Sequence, residues 1–176
     1  VAREANLARI DELALAQLAE QGAAGLSLRA IARELDLVSS AIYRYYANRD
    51  ELVTALVLDA YADLADVIEA AVAEAQGGRA QWLAACAGLR DWSRAQPHRF
   101  ALVYGSAIPG YEAPVETVEP AVSVLRALCL PVVDALRGTA PESLPTPGAE
   151  LEAQLTGVAA ALDLEASPPL VLSRVH

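Results

Sequence analysis

Lysine and methionine are absent from this 176-residue sequence, and cysteine occurs only twice. Cys86 and Cys129 lie far apart and lack the paired spacing of a metal site, so we expect two buried, reduced thiols rather than a disulfide or a bound metal. No apolar run approaches the ~18 residues of a membrane span, and no signal-peptide pattern is visible. These absences predict a cytoplasmic protein that has no membrane partner.

Residue patterns that support catalysis are also absent. The only histidines are His98 and His176, and His98 follows a proline near a predicted helix start, where we expect a solvated or capping role. The sequence contains no Gly-x-Ser-x-Gly elbow, glycine-rich phosphate loop, His-Glu-x-x-His motif or Cys-x-x-Cys pair. We therefore predict that the protein is not an enzyme and has no catalytic residues, no cofactor and no metal site.

Positive charge is scarce as well. The formal net charge is −10, with 13 arginines against 23 acidic residues. Residues 1–52 hold six arginines and eight acidic residues, a net charge of −2, and the remainder of the chain carries −8. A nucleic-acid partner would therefore be held by individual arginines and helix N-termini rather than by a broad basic surface.

What the sequence does contain is a helix-turn-helix pattern between residues 27 and 46. Ser27 can cap a first short helix with apolar residues on one face: Leu28, Ile31, Ala32 and Leu35. After a turn at residues 36–38, Ser39 can cap a second helix that turns Ala41, Ile42 and Tyr46 inward. The second helix of such a motif can lie in the major groove of DNA, and this one would expose Ser39, Ser40, Tyr43 and Arg44. The stretch predicts DNA binding.

Two further helices frame this motif. Helical spacing of apolar residues predicts a first helix that ends at Gly22: Leu7, Ile10, Leu13, Ala14 and Leu18. Asn48 can cap a long helix over about residues 49–75, with Glu51 at the capping-box distance. Since no convincing strand pattern occurs, we predict an all-α fold, in which a three-helix head (residues 1–48) is joined by the long helix to a helical ligand-binding and dimerisation body (residues 49–176).

The head resembles the TetR family of transcriptional repressors over nearly all of its first 52 residues. The matching positions are Arg9-Ile10, Glu20-Gln21-Gly22, Ser27-Leu28, Ile31-Ala32, Val38-Ser39, Ile42-Tyr43 and Arg49-Asp50-Glu51-Leu52. Asp36 stands where the family usually has glycine, and we expect the turn to survive at a cost of roughly 1 kcal/mol. Tyr46 replaces the usual phenylalanine, so its hydroxyl needs a partner or the surface. The resemblance implies a homodimer that binds a palindromic double-stranded DNA operator and is released by a small molecule.

The resemblance and the helical spacing together suggest which residues contact DNA. Ser40, Ala41 and Arg44 can face base edges, and arginine suits the two acceptors of guanine. Tyr43, Tyr45 and Arg49 occupy positions that contact phosphates in the family, and Arg29 can add another phosphate contact. The full predicted set is Ser27, Arg29, Ser39, Ser40, Ala41, Tyr43, Arg44, Tyr45 and Arg49. The alternative is that these are ordinary surface residues, and for Arg3 and Arg9 we expect solvation rather than phosphate contact.

The body is predicted to be helical over about residues 79–96, 97–104, 115–137 and 149–162, with a loop at 138–148. The third of these helices is expected to turn inward Val118, Val122, Leu125, Leu128, Cys129 and Val132. Residues 79–137 also resemble the C-terminal domain of a TetR subgroup named for Trp, His and Gly positions. The resemblance rests on Trp82, Trp92, the stretch 97–105 and the stretch 109–114.

Nine residues of the body can line a cavity for a small apolar or aromatic effector. They are Trp82, Cys86, Leu89, Trp92, Phe100, Tyr104, Tyr111, Leu125 and Cys129. The alternative is simple core, because a stripe at helical spacing is more often core than cavity. A second interpretation of the whole chain is a helical small-molecule-binding or scaffold protein without useful DNA affinity, which the charge of −10 and Asp36 would fit.

The C-terminal residues predict a helix that begins near Ser167 and is interrupted at His176 after about two turns. The resembling family closes with a long helix that pairs with its twin in a two-fold four-helix bundle. We therefore expect the native chain to continue beyond His176, and the other possibility is that residues 149–162 and 170–176 form a reduced dimer interface by themselves.

Overall fold

The computed structural model describes residues 2–22, 25–135 and 148–161. Its α-helices are α1 (Ala2–Gln21), α2 (Leu28–Glu34), α3 (Arg49–Glu74), α4 (Gly78–Ala95), α5 (Pro97–Tyr104), α6 (Val118–Ala135) and α7 (Ala149–Ala161). Two short 3₁₀ turns occupy Ile42–Arg44 and Val115–Thr117. The described ranges contain no strand, and the predicted all-α fold is confirmed. The predicted loop at 138–147 and the predicted helix beyond Ser167 lie outside the described residues.

Side-chain caps set the starts of α2 and α3, as the sequence predicts. The Ser27 hydroxyl accepts a hydrogen bond from the Ala30 backbone N–H at 3.3 Å, and the Asn48 side-chain oxygen accepts one from the Glu51 N–H at 2.9 Å. The Glu51 carboxylate reaches back to the Ala47 N–H at 2.6 Å, which completes a capping box displaced by one residue. These bonds satisfy backbone donors that a helix start leaves without partners.

The turn after α2 depends on Asp36. Among the described residues other than glycine, Asp36 alone has a positive φ, at 53°. The Leu37 N–H then reaches back to the Ala32 carbonyl at 2.9 Å and closes the end of the helix. The expectation that aspartate can replace glycine in this turn is confirmed.

The second helix of the motif is shorter than predicted. Residues 39–46, which we call the recognition segment, form turns and a single 3₁₀ turn at Ile42–Arg44 rather than an α-helix. Its backbone bonds include Ala41 N–H to the Val38 carbonyl at 2.7 Å and Tyr45 N–H to the Ile42 carbonyl at 2.9 Å. A piece this short cannot repay the nucleation of an α-helix, so its packing governs its form. The predicted inward residues Ala41, Ile42 and Tyr46 are all buried.

The chain divides into two compact units, of which the first comprises Val1–Asp63 and Trp92–Val118. The core of this unit, which we call the head core, contains Ile10, Ala14, Leu18, Leu26, Leu28, Ile31, Ala32, Ile42, Tyr46, Leu52, Val53, Leu56 and Val57. Leu102, Val103, Ile108 and Tyr111, from α5 and the loop after it, pack against the head core. The predicted DNA-binding domain, residues 1–48, therefore shares a compact unit with a segment that lies about fifty residues later in the chain.

The second unit comprises Leu64–Asp91 and Glu119–His176. The predicted inward face of α6 is partly wrong. Leu125 is 49% exposed, and Val118, at the start of the helix, is 55% exposed. The buried positions of α6 are instead Val124, Ala127, Pro131 and Val133. Apolar residues occur on most sides of this helix, so its periodicity does not single out one face.

Cys86 and Cys129 are free thiols, each partly buried. Burial raises the pKa of the Cys129 thiol, which favours its protonated form. None of the helices that the structure describes is both long enough and apolar enough to span a lipid bilayer.

Candidate nucleic-acid interface

The recognition segment presents a small exposed surface over a buried anchor. Ile42 is fully buried, while Ser39, Ser40 and Arg44 are exposed and Tyr43 is 43% exposed. The two serines are short, so the backbone of this turn can approach a groove closely. Arg44 supplies a fork of donors and Tyr43 a hydroxyl, the side-chain types that read base edges and contact phosphates.

Two tyrosines at the end of the recognition segment fasten it to α1. The Tyr46 hydroxyl donates to the Asp11 carboxylate at 2.9 Å, and the Asn6 amide donates to the Tyr45 hydroxyl at 2.8 Å. Burial raises the pKa of Asp11 despite the Tyr46 hydrogen bond and the charge of Arg99, which both lower it. Burial and the Asp11 carboxylate raise the pKa of Tyr46, so its hydroxyl keeps its proton. The hydroxyl that the sequence left without an assigned partner thus positions the segment.

The start of α1 adds an arginine to this surface. Arg3, Arg44 and Tyr45 line a pocket of about 270 Å³ on the first unit. Two guanidinium groups and a tyrosine hydroxyl suit a phosphate, because charge-assisted hydrogen bonds to guanidinium are short and strong. From the sequence we expected Arg3 to be solvated, and only its place in the first turn of α1 indicated that it could lie near Arg44 and Tyr45.

The remaining predicted contacts differ in accessibility. Arg29 is exposed on α2, whereas Arg49 is partly covered and pairs with Asp50 at 3.4 Å. Ser27 is half-buried, its hydroxyl caps α2, and its N–H donates to the Gln17 side chain at 2.9 Å. Ala41 is only 5% exposed, so the expectation that it faces a base edge is wrong. It packs inward because Ile42 anchors the turn beside it.

Two family models match the chain. Residues 10–56 match the model described as bacterial regulatory proteins, tetR family, and residues 82–171 match that of the tetracyclin repressor-like C-terminal domain. The chain belongs to the TetR family. The first match covers α2, the recognition segment and the start of α3, which together carry most of the exposed surface described above.

Relatives of this TetR-family chain include the HTH-type transcriptional regulators Rv1816 of Mycobacterium tuberculosis and Mb1846 of Mycobacterium bovis. Each is 51% identical over 117 residues, which covers 64% of this chain and 49% of the relative. The chain thus spans about half the length of the curated relatives it matches.

Solved structures agree on the TetR-family fold. The crystal structure of a candidate regulatory protein, SCO4313, superposes with a TM-score of 0.76 at 34% identity, over 98% of this chain and 77% of that one. A protein of unknown function from Rhodococcus sp. RHA1 gives a TM-score of 0.65 at 24% identity, over 97% and 91% of the two chains. This second likeness concerns the fold alone.

The nine residues predicted to line an effector cavity fall in both units of the TetR-family chain. Trp92, Phe100, Tyr104 and Tyr111 belong to the first unit, and Trp82, Cys86, Leu89, Leu125 and Cys129 to the second. Phe100 and Tyr104 pack with ring centroids 5.2 Å apart, and the Tyr111 hydroxyl shares a hydrogen bond with Thr54 at 3.0 Å. Trp82 and Leu125 are 44% and 49% exposed. The nine side chains therefore belong to different units and differ in their exposure to solvent.

Each unit contains a cavity close to the lower end of the size range of ordinary ligand pockets. One of about 270 Å³ lies between α3, α5 and the loop after α5 in the first unit, and of the nine predicted residues it is lined by Tyr111. The other, of about 360 Å³, lies in the second unit and includes Glu69, Gln81, Ser123 and Arg126 in its wall. None of the nine predicted residues lines the second cavity.

A charged cluster joins α5 to α3 in the first unit. The Arg99 guanidinium, whose side chain is 15% exposed, pairs with Asp59 and with Asp63, the latter at 2.8 Å. Asp63 also accepts a hydrogen bond from the Trp92 indole N–H at 2.7 Å. Burial lowers the pKa of Arg99, and the charge of Asp11 opposes that shift. No local sequence pattern predicts this cluster, because its members are far apart in the chain.

Proposed function

We propose that this chain is a sequence-specific DNA-binding transcriptional regulator, a repressor that a small molecule releases from its operator. The observation that carries the proposal is the exposed surface of the recognition segment, with Ser39, Ser40, Tyr43 and Arg44 held over the buried Ile42. The similarity of the chain to HTH-type transcriptional regulators supports it. The hydrogen bonds of Tyr45 and Tyr46 to α1 hold this surface in one position, as a DNA-contacting surface requires.

The geometry suggests a division of roles at the DNA surface. Arg44 reads a base edge in the major groove, and the two serines allow the backbone to come close. Tyr43, Tyr45 and Arg3 contact phosphates and fix the register, with Arg29 and Arg49 beside them. Since Asn6 donates to the Tyr45 hydroxyl, the proton of that hydroxyl is available to a phosphate oxygen.

The assembly that follows is a cytoplasmic homodimer on a palindromic operator. A two-fold dimer places two recognition segments about 34–36 Å apart, so that they enter successive major grooves. In this proposal the C-terminal part, residues 49–176, carries dimerisation and effector binding, and the resemblance of residues 79–137 supports its membership of the subgroup named for Trp, His and Gly positions. A small effector shifts the equilibrium between DNA-bound and free states by its differential affinity for them.

A second candidate function is a helical small-molecule-binding or scaffold protein without useful DNA affinity. The net charge of −10 favours it, because an acidic surface repels DNA. Even residues 1–52 carry −2, so the few exposed arginines of the recognition surface must supply the affinity.

A salt titration separates these two functions. The chain is titrated against a labelled fragment from upstream of its own gene and against a scrambled duplex, at several salt concentrations. A repressor loses affinity steeply, with log K falling by about 0.9 per decade of salt for each phosphate contact. The titration is repeated with Arg44→Ala, which removes one positive charge from the recognition surface. The matched control is Arg79→Ala, which removes one positive charge from an exposed position of α4, outside that surface. A scaffold produces no shift of either duplex.

A further inference from the structure

The cavity between α3, α5 and the loop after α5, which we call the α3–α5 cavity, has a wall without charge. Its apolar lining includes Val57, Leu102, Val103 and Ile108, and its hydroxyl groups come from Tyr61, Ser106, Tyr111 and Thr117. No aspartate, glutamate, arginine or histidine lines it, although the chain as a whole is one-fifth charged. A charged ligand would give up part of its hydration there without gaining a counter-ion, so the cavity suits an uncharged one.

The hydroxyls of the cavity are not equally available. The Thr117 hydroxyl donates to the Pro114 carbonyl at 2.8 Å, and the Tyr111 hydroxyl is shared with Thr54 at 3.0 Å. Among the residues that the structure describes, none hydrogen-bonds the Tyr61 hydroxyl, whose ring packs edge-on against Tyr104 at 6.1 Å. Burial raises the pKa of Tyr61, so this hydroxyl stays protonated and can donate. A ligand oxygen in the cavity can accept this hydrogen bond.

The same cavity adjoins the head core. Val57 belongs to the head core, and Leu102, Val103, Ile108 and Tyr111 pack against it from α5 and the following loop. The head core also contains Ile31 and Ile42, which support α2 and the recognition segment. A close-packed core transmits displacement, because it has few voids in which to absorb it. A ligand in this cavity therefore pushes on side chains that share one core with the recognition segment.

We propose that the α3–α5 cavity is a binding site for a small, uncharged and largely apolar molecule that bears a hydroxyl or carbonyl oxygen, and that this molecule is the effector. The role of this molecule as an effector rests on the proposed function, whereas the existence of the binding site does not depend on it. The volume of about 270 Å³ lies just below the ~300 Å³ lower end of ordinary ligand pockets, so the ligand is small. Tyr61 donates to its oxygen.

The first arm of the test measures binding to the full chain without DNA. Isothermal titration calorimetry compares three compounds with the same ring system: 2-naphthol, which has a hydroxyl group, naphthalene, which has no polar group, and 2-naphthoate, which has a charged carboxylate. We expect 2-naphthol to bind, naphthalene to bind about fivefold more weakly for loss of one hydrogen bond, and the 2-naphthoate anion to bind at least about tenfold more weakly. Absence of 2-naphthol binding, or equal binding of the anion, overturns the proposal.

The second arm locates the site with matched variants. Ala107→Phe places a ring in the cavity wall and is expected to abolish 2-naphthol binding, while Ala95→Phe, at the exposed end of α4, leaves it within about twofold. Tyr61→Phe keeps the ring. It is expected to lower the affinity for 2-naphthol about fivefold and to leave the affinity for naphthalene unchanged. Ser123→Phe fills the cavity of the second unit and is expected to change nothing. Loss of binding in the Ser123 variant, with binding retained in the Ala107 variant, overturns the assignment.

The third arm joins the cavity to DNA binding. If 2-naphthol weakens operator affinity by some factor, the DNA-bound chain must bind 2-naphthol more weakly by the same factor. Binding of 2-naphthol that leaves operator affinity unchanged overturns the effector role. Failure of the unliganded chain to bind any DNA instead overturns the proposed function, and the ligand-binding arms still report on the cavity.

Discussion

At the scale of single residues, we propose that the recognition surface divides base reading and phosphate contact between different side chains. Arg44 is exposed beside the pocket that it shares with Arg3 and Tyr45, and Tyr43 is exposed next to it. A guanidinium can make two bonds to guanine, whereas a tyrosine hydroxyl suits a phosphate. Sequence discrimination is therefore expected to depend on Arg44 more than on its neighbours.

Arg44→Ala is predicted to lose discrimination between cognate and scrambled duplexes, at a cost of ~1–3 kcal/mol for one base position. Tyr43→Phe is predicted to lower the affinity for both duplexes by a similar factor, because a phosphate contact carries no sequence information. Mobility shifts with both duplexes measure the two ratios. Equal losses on the two duplexes for Arg44→Ala would show that its role is a phosphate contact.

The bond between Tyr46 and Asp11 is predicted to stabilise the first unit. Tyr46→Phe leaves the partly buried Asp11 carboxylate without its donor and is expected to lower the free energy of unfolding by ~1–2 kcal/mol at neutral pH. Chemical unfolding measured against pH checks this, with Asp11→Asn as the background for a double-mutant cycle.

The pH dependence of that loss has a definite sign. The pKa of Asp11 is raised in the folded state, so Asp11 opposes folding when ionised and this penalty is relieved as pH falls through the raised pKa. Removing the Tyr46 hydroxyl, which lowers the pKa of Asp11, enlarges the penalty at neutral pH. The deficit of Tyr46→Phe should thus shrink on acidification, and a deficit that is constant down to acid pH would exclude Asp11 as its cause.

At the scale of elements, local signals account for most of the helices and packing for the exceptions. Caps at Ser27 and Asn48 and proline at the start of α5 lie where the sequence predicts them. The recognition segment departs, because residues 39–46 include one 3₁₀ turn and rely on Ile42 and Tyr46 for anchorage. Its conformation is set by the head core and α1.

The turn between α2 and the recognition segment offers a test of backbone strain. Asp36→Gly is predicted to raise stability by up to about 1 kcal/mol, because glycine adopts a φ of 53° without steric cost. The matched control is Asp66→Gly at an exposed position inside α3, which is predicted to lower stability by about 0.3 kcal/mol, the difference between the helix propensities of aspartate and glycine. Thermal unfolding of both variants measures whether each substitution raises or lowers stability. A loss of stability in Asp36→Gly would contradict the inference that the positive φ of Asp36 costs stability.

At the scale of the whole molecule, the proposed function makes symmetry and charge decisive. A chain of net charge −10 would gain little affinity for DNA from its general surface, so we expect two recognition surfaces to act together. The proposed two-fold dimer would fix the distance between them, and an operator would then need matching half-site spacing.

Insertion of base pairs at the operator centre tests this. Adding about 5 base pairs turns one half-site to the opposite side of the duplex and is predicted to reduce binding to that of a half-site, since the natural spacing is one helical turn or a multiple of it. Mutation of one half-site alone, with spacing kept, is the control and should give the same loss. Equal affinity for the natural and the lengthened operators would contradict binding as a rigid two-fold dimer.

The sequence by itself determined the all-α fold, the starts of α2 and α3, the length of α3 and the outward set Ser39, Ser40, Tyr43 and Arg44. These features follow from caps, glycine and proline positions and helical periodicity, which act over a few residues. It did not determine which part of α6 is buried, because apolar residues cover every side of that helix except one narrow polar stripe.

Only the tertiary structure decided what lies beside the recognition segment and beneath it. Arg3 comes next to Arg44 and Tyr45 because α1 folds back on the segment. Arg99 meets Asp59 and Asp63, and Tyr111 meets Thr54, across about 40 to 60 residues of chain. Such pairings leave no periodic trace in the sequence, because they depend on which helices pack together rather than on local spacing. The same packing creates the α3–α5 cavity against the head core.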